Sequence, residues 1–421
     1  MPTRNWAVRL RLLWTVIFIT PLLTGCWDRL EVEQRATVLG LSIDTMGSQT
    51  TDGSDQGAAD EPSDVMSSIP SSAPGKAALR LTAQIAVPGR IPLGPGETGG
   101  GGSGNPQEAV WVLHSNGKTL SEAIQRLQQQ VADKLFLGHL RVIVISEEFA
   151  RHEGLETVTD TLRRNPEVRR TAWLMVSKGD AAEVMRTAPP LERVPTLYLM
   201  STMDHARQMG KLPNDFLGKF ESKAVSKGRQ GVLPYVEITQ KDNINVAGLA
   251  FFKGYKMVST TKKTFDIATY MELAGISRGG YSMMVPVPNQ SGAVMVQGYR
   301  RKRRIKVDIR NGIPHFTVVL HLDNSITEKT SENFSVDNPK IIREIEGEVE
   351  QSLQANTKEF IEQTKAEDVD VIGFGEYVRA RKRQYWDRNV RTREMWDQLY
   401  PKASMDVQIT VKIHRVGMKG T

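Results

Sequence analysis

The sequence predicts an α+β protein in which strands and helices follow one another irregularly along the chain. Residues 35–46 and 77–87 alternate apolar with polar side chains, as half-buried strands do. Residues 120–131 carry an apolar stripe at helical spacing, and residues 337–370 are predicted to form one long charged helix. The length of 421 residues is enough for two to four domains at roughly 150 residues each.

The first half of the chain is predicted to form a mixed α/β domain with two long insertions. Residues 47–75 and 88–106 are rich in Ser, Asp, Gly and Pro, and such segments bury too little apolar surface to become ordered. A third strand is expected at 108–116. Thr119, with Glu122 three residues later, has the spacing of a capping box that begins a helix. Residues 140–146 are continuously apolar, which is typical of a strand buried on both faces.

The second half begins after a boundary marked by Pro189, Pro190 and Pro195. Helices are expected within 194–228 and strands within 231–261. Two longer strands should be joined at Asn311-Gly312, a hairpin signal. The long helix is followed by a second helix over 374–389, and alternating apolar residues over 406–417 predict a closing strand.

The N-terminus has the charge pattern of a secretory signal. Three arginines and no acid precede an apolar run of about 12 residues, which is shorter than the roughly 20 needed for a membrane-spanning helix. The run ends in LTGC, which resembles a lipobox, so residues 1–25 are predicted to be cleaved and Cys26 to carry a diacylglycerol and an N-acyl chain. The alternative is an incidental cysteine behind an ordinary signal. Cleavage removes three of the seven excess positive charges and leaves +4.

Motifs for catalysis or metal binding are weak. Cys26 is the single cysteine, which excludes a disulfide framework and CxxC sites. None of the seven histidines forms HExxH, although His315 and His321 are expected on one strand face. The glycine run at 94–104 lacks the Lys-Ser/Thr of a phosphate loop, and no GxSxG elbow is present. The sequence therefore nominates no catalytic, cofactor-binding or metal-binding residue.

Two basic clusters remain, at residues 300–304 (RRKRR) and 379–383 (RARKR). A solvated surface is the first interpretation of both. Contact with lipid headgroups or with an acidic partner surface is the alternative, since each basic residue near an anionic bilayer contributes about 1 kcal/mol. In the first cluster, strand alternation would divide the charges between the two faces of a sheet.

The assembled motifs resemble the Ger(x)C family, the lipoprotein subunit of spore germinant receptors. The resemblance rests on GCWD at 25–28 with Glu31, Gly40, Ile43-Asp44, GKTLSEA at 117–123, LFLGH at 135–139 and AGLAFFK at 247–253. It covers essentially the whole chain after residue 25. The insertions at 47–75 and 88–106 lengthen loops that are shorter in the family.

The resemblance implies three domains, each a mixed or antiparallel sheet covered by helices, which we place at 26–195, 196–295 and 296–421. It implies a non-catalytic, lipid-anchored subunit needed for nutrient-triggered spore germination. The expected partners are two integral-membrane receptor subunits, A-type and transporter-like B-type. The expected location is the outer face of the cell membrane, and the spore inner membrane in dormant spores. No cofactor, metal, nucleic acid or directly bound small molecule is expected.

Two other function classes compete with this interpretation. A lipid-anchored solute-binding protein of a transporter would have two similar lobes around a cleft, which the charged, strand-rich C-terminal half fits poorly. An exported hydrolase of the cell wall would need a catalytic constellation, which the sequence does not contain in recognisable form.

Overall fold

The computed structural model describes residues 6, 13–15, 35–46, 78–87, 109–189, 192, 194–239, 243–277 and 279–415. Both predicted insertions, at 47–75 and 88–106, lie outside these ranges, so their disorder stays a prediction. Of residues 1–25, which are predicted to be a signal peptide, the structure describes residues 6 and 13–15.

The larger of the two β-sheets in the described chain contains nine strands. Their bounds are β1 Arg35–Thr45, β2 Leu79–Ala86, β3 Val110–Gly117, β4 Lys134–Phe136, β5 Val142–Ser146, β6 Trp173–Ser177, β7 Val232–Thr239, β8 Asn243–Lys253 and β9 Lys256–Thr260. The order is β3-β2-β1-β5-β6-β7-β8-β9, and β4 pairs with β1. The central pairs β1–β5, β5–β6 and β6–β7 are parallel, and antiparallel pairs flank them.

The centre of this sheet is buried on both faces. Every residue of β5 and of β6 is buried, because parallel strands are covered by helices on both sides. The prediction from the continuous apolar run at 140–146 is confirmed. The short strand β4 falls where the sequence pattern gave no strand signal.

Six helices precede β7 among the described residues. They are α1 Leu120–Gln129, α2 Glu147–His152, α3 Glu156–Arg164, α4 Ala181–Val184, α5 Pro195–Gln208 and α6 Leu217–Ala224. Thr119 caps α1 as predicted, since its Oγ1 accepts a hydrogen bond from the Glu122 amide at 3.2 Å. The Glu122 carboxylate accepts from the Lys118 amide at 2.8 Å, one residue before the expected capping-box partner.

The sheet continues across the boundary suggested at residues 195 and 196. Strand β7 pairs in parallel with β6, with Tyr235 opposite Val176. The residues assigned to the first and second domains therefore share one sheet. The sequence did not predict this, because pairing between distant strands leaves no local pattern. The count of three domains stays a prediction.

The second sheet contains four strands in the described chain: β10 Ser282–Pro286, β11 Ala293–Arg310, β12 Ile313–Lys329 and β13 Ser404–Arg415. Strands β11 and β12 form the predicted hairpin, in which Asn311 (φ 50°) and Gly312 (φ 78°) occupy the left-handed conformation that a two-residue hairpin turn requires. Strand β13 pairs in parallel with β12.

The remaining helices of the described chain are α7 Thr264–Leu273, α8 Pro339–Ala366, α9 Phe374–Arg381, α10 Arg383–Asn389 and α11 Arg393–Leu399. The long helix is confirmed as α8. The single helix expected over 374–389 is wrong, because the chain leaves the helical conformation at Lys382 (φ −126°, ψ 49°). There Arg381 donates to the Ile305 carbonyl at 3.0 Å and Lys382 to Asp308 at 3.1 Å, so contacts with β11 replace local helix geometry.

Helix α8 also lies along the outer edge of β13. Three of its side chains, spaced four residues apart, bond to backbone groups of that edge. Gln354 donates to the Val407 carbonyl at 3.0 Å, Glu350 accepts from the Val411 amide at 2.8 Å, and Glu346 accepts from the Ile413 amide at 2.9 Å. From Glu350 to Glu346 the helix advances about 6 Å, and from Val411 to Ile413 the strand advances nearly the same distance. Gln354 bonds four strand residues before Val411.

A shared apolar core joins the two sheets. It contains residues of β5 to β8 together with residues of α8 and of the second sheet. Phe251 of β8 packs edge-on against Phe360 of α8, with ring centroids 6.0 Å apart. A second core lies on the other side of the larger sheet, beneath helices α1, α2 and α3.

Candidate functional site

The predicted lipid attachment site, Cys26, lies outside the described residues, as do its neighbours at 25–34. Lipidation therefore stays a prediction. Among the residues that the structure describes, no helix is long and apolar enough to cross a membrane. The same residues contain no group of three or more His, Cys, Asp or Glu side chains arranged to hold a metal ion.

The two histidines expected on one strand face are both in β12. His315 is buried, with its Nδ1 2.7 Å from the Ser404 hydroxyl, whereas His321 is exposed and stands opposite Lys302. Six strand residues separate them by roughly 20 Å. They do not form a shared site.

Gly40 and Asp44 of the family motifs position helix α4. Asp44 is buried, and its carboxylate accepts from the Ala181 and Ala182 amides at 2.6 and 3.1 Å, where it caps the helix. Burial raises the pKa of Asp44 to about 6, although both hydrogen bonds lower it. A Cβ on Gly40 would lie 2.4 Å from Met185 Cε and 2.5 Å from the hydroxyl oxygen of the buried Thr196, so a larger residue would require both side chains to shift.

The other motifs also contribute packing and turns. Residues 117–123 form the cap and first turn of α1. Phe136 lies beneath the Arg35 guanidinium at 4.7 Å and contacts the His139 ring. In β8, the side chains of residues 249–252 are all buried. The residues that carry the family resemblance and lie within the described ranges therefore contribute to the fold.

A buried carboxylate at residue 370 organises the contact between the C-terminal helices and the loop before β7. Asp370 is fully buried and accepts three hydrogen bonds, from the Gly373 amide (2.7 Å), the Gly375 amide (2.8 Å) and the Trp396 indole (3.0 Å). Burial raises the pKa of Asp370 to about 6, against the opposing effect of these donors.

The same cluster binds Gln230, which immediately precedes β7. The Gln230 amide donates to the Asp370 carbonyl at 2.8 Å, and its side chain donates to Asp397 at 3.0 Å and accepts from the Gly254 amide at 2.9 Å. Ser226 donates to Glu376 at 2.6 Å in the same interface. We call these contacts the Asp370 junction. Sequence analysis missed it because Gln230 and Ser226 lie more than a hundred residues from Asp370, Asp397 and Glu376. Only the closely spaced glycines 373 and 375 indicated backbone donors near Asp370.

A small cavity of about 30 Å³ lies between α7, α8 and the inner face of the second sheet. Its polar lining includes Glu272, Tyr281, Arg301 and Asn324. Glu272 is buried, and its Oε2 atom has no hydrogen-bond partner among the described residues. Burial raises the pKa of Glu272 to about 7, while the charge of Arg301 opposes this shift. The volume is sufficient for water.

The basic cluster at 379–383 is largely neutralised. Arg379 pairs with Glu376 at 2.7 Å, Lys382 with Asp308 at 3.1 Å and Arg383 with Asp387 at 3.6 Å. Arg381 is held by the Ile305 carbonyl and lies over the Tyr377 ring. These cations support the fold locally.

The cluster at 300–304 is divided between the two faces of β11, as predicted. Arg301 is buried and donates to the Gly210 carbonyl at 3.0 Å, and Arg303 is half-buried and bonds to the Tyr377 hydroxyl at 2.7 Å. Arg300, Lys302 and Arg304 are exposed on the opposite face. The site therefore consists of a buried polar junction and an exposed basic surface.

Two family models together match nearly all of the chain after residue 27. Residues 28–238 match the spore germination protein N-terminal domain, and residues 247–417 match the spore germination B3/GerAC-like C-terminal domain. The gap between the two matches falls at the β7–β8 connection.

Known proteins similar to this chain agree with these matches. YfkR of Bacillus subtilis is 26% identical over 416 residues, which cover 96% of this chain and 95% of that protein. Spore germination protein KC of Bacillus subtilis is 23% identical over 425 residues, 94% of this chain and 93% of that protein. The crystal structure of the GerBC protein superposes with a TM-score of 0.51 at 18% identity, covering 80% of this chain and 94% of that one, and so shows a similar mixed α and β fold.

Proposed function

Since this chain belongs to the GerAC family of spore germination proteins, we propose that it is the lipid-anchored C subunit of a germinant receptor. In this role it is non-catalytic and needed for nutrient-triggered germination. It contacts two integral-membrane receptor subunits, A-type and transporter-like B-type, at the outer face of the cell membrane and, in the dormant spore, at the inner membrane.

The observation that carries this proposal is the extent of the family matches. They cover residues 28–238 and 247–417, so nearly all of the chain after residue 27 matches models of spore germination proteins. The fold similarity to GerBC supports the same conclusion. These matches give no support to the alternative of a solute-binding protein for a transporter.

The anchor is proposed at Cys26, where lipobox-like residues end the apolar run. Two acyl chains on one residue are sufficient for stable membrane attachment. Eight residues lie between Cys26 and the start of β1 at Arg35, and this stretch spans at most roughly 30 Å when extended. The folded body would therefore remain close to the bilayer.

The anchor is tested by metabolic labelling with an alkyne fatty acid and by membrane fractionation. We expect the wild type to incorporate the label and sediment with membranes, and Cys26→Ala to lose the label. Trp27→Phe, which changes the next residue and keeps the thiol, is the matched control. Labelling of Cys26→Ala at the wild-type level would refute the anchor.

The receptor role is tested separately in spores that lack the chain. We expect these spores to lose their response to one nutrient class and the wild-type chain to restore it. Affinity purification from spore membranes should recover the two integral-membrane subunits with the wild type. The decisive strain lacks every other receptor. If deleting this chain in that strain leaves the nutrient response unchanged, the role is excluded.

A further inference from the structure

We propose that the exposed face of the second sheet binds an anionic lipid surface through four cations of β11. These are Arg300, Lys302, Arg304 and Lys306, called here the basic row. The proposal rests on the proposed function in one respect, because a membrane-anchored body is what brings this face near lipid.

The geometry of the row follows from strand periodicity. Alternate residues of β11 face solvent, and all four members of the row are exposed, while Ile305 and Val307 between and beyond them are buried. Alternate strand residues are about 6.6 Å apart, so the row is roughly 20 Å long. Four cations in a row on one sheet face can contact an extended anionic surface together.

The row retains an excess of positive charge, because its four cations outnumber the two nearby acids, Asp308 and Asp323. Asp308, on the same strand, accepts from Lys382, and Asp323, opposite Arg300, lies 3.0 Å from His414 Nε2. The residues opposite the other three members are His321, Val319 and Thr317. Within the described parts of the chain, no ion pair involves a member of the row. The cluster at 379–383 differs in this respect, because three of its cations have carboxylate partners.

Apolar side chains extend the same face beyond Arg300. Tyr299 is 40% exposed at the bulge where the row begins, and Met284 of β10 is 49% exposed opposite Met295. Tyrosine favours the bilayer interface, where its ring is apolar and its hydroxyl is hydrated. Cations beside exposed aromatic and apolar groups are typical of surfaces that lie on a membrane.

Lipid headgroups fit this surface better than an acidic protein does. Phosphates in a fluid leaflet can move to each cation, so a flat row needs no complementary shape. The attraction is largest within a Debye length of the leaflet, and a tether anchored in the bilayer lets the row approach to that range. Each basic residue near an anionic leaflet strengthens binding by about fivefold.

The test measures vesicle binding of the full chain carrying Cys26→Ala, so that no acyl group contributes. The row variant adds R300Q, K302Q, R304Q and K306Q. The matched control instead adds R186Q, K219Q, K256Q and R343Q, which removes four exposed cations from other surfaces. The probes are phosphatidylcholine vesicles with and without about one-third phosphatidylglycerol.

We expect the row variant to bind phosphatidylglycerol vesicles at least about tenfold more weakly than its parent. The control should change by less than about threefold, and binding by the parent should weaken as salt rises from about 0.05 to about 0.5 M. A variant with Tyr299→Ser and Met284→Ser should bind these vesicles more weakly, with the salt dependence retained. Matching circular dichroism spectra would show that the variants remain folded.

Equal binding by the row variant and the control would overturn the proposal. If the row variant binds vesicles normally but no longer recovers the receptor subunits from spore membranes, the surface contacts an acidic protein and lipid binding is refuted. Because every arm lacks the acyl anchor, loss of vesicle binding by the row variant is independent of whether Cys26 is lipidated.

Discussion

Replacing Glu272 with glutamine is expected to stabilise the fold at neutral pH and to have little effect in acid. The carboxyl group faces the small cavity between α7, α8 and the second sheet, with one oxygen unpartnered among the described residues. An ionised carboxylate in such a place loses hydration that its surroundings do not fully replace. Glutamine has nearly the same shape and carries no charge at any pH.

The magnitude follows from the pKa of Glu272, which burial raises from 4.5 to about 7. A raised carboxyl pKa means that the folded state binds more protons than the unfolded state between these values. The associated stability is therefore fully present below about pH 4.5 and is lost as the pH rises through about 7. At 1.36 kcal/mol per unit, the loss amounts to about 3 kcal/mol, which E272Q avoids.

The assay is urea unfolding at a series of pH values, followed by tryptophan fluorescence, with Cys26→Ala in every chain. The free-energy difference between E272Q and its parent should grow by about 3 kcal/mol between pH 4.5 and 8. Glu332→Gln, at a side chain 85% exposed, is the control and should remain within about 0.5 kcal/mol. A difference that is independent of pH would refute the reasoning, as would one that grows toward acid.

Three further substitutions test buried bonds and close backbone contacts. Asp370→Asn should lower the free energy of unfolding by roughly 2–4 kcal/mol, because the new amide group would face two buried N–H donors. The control Asp368→Asn, at an exposed position, should change it little. Equal urea midpoints for the two variants would contradict this prediction. Gly375→Ala should be destabilising, because the new Cβ would lie 2.7 Å from the Gly228 Cα and from atoms of the Trp396 indole. Gly347→Ala, which has open space around it, should instead stabilise α8 by about 0.5–1 kcal/mol. Thr119→Ala should cost about 1 kcal/mol through loss of the α1 cap, and an unchanged thermal midpoint would argue against the cap.

Local patterns predicted most individual elements of this fold. Alternation located β1, β2 and β13, and the Asn311-Gly312 signal located the hairpin, because each depends on neighbours in sequence. The short strand β4 and helix α11 gave no comparable signal. Pairing of β7 with β6 is a contact between distant segments, so the continuity of the larger sheet across residue 195 was not predictable from alternation or helical spacing.

For the basic clusters, too, the sequence predicted what depends on neighbouring residues and not what depends on contacts formed by folding. Strand periodicity correctly divided residues 300–304 between two faces. It contained no information about Asp308 or Glu376, which neutralise part of the other basic cluster through tertiary and helical pairs. The Asp370 junction likewise depends on Trp396 and Gln230, which become neighbours of Asp370 only after folding.

The side chains of α8 along β13 have a consequence for chains held at high density. An exposed strand edge is a template on which a second molecule can add a strand. Glu346, Glu350 and Gln354 occupy backbone groups of that edge, so a neighbouring copy would have to displace them first. Lateral crowding on a two-dimensional surface would favour such edge-to-edge joining. Helix α8 thus blocks strand addition at the β13 edge, in addition to completing the core.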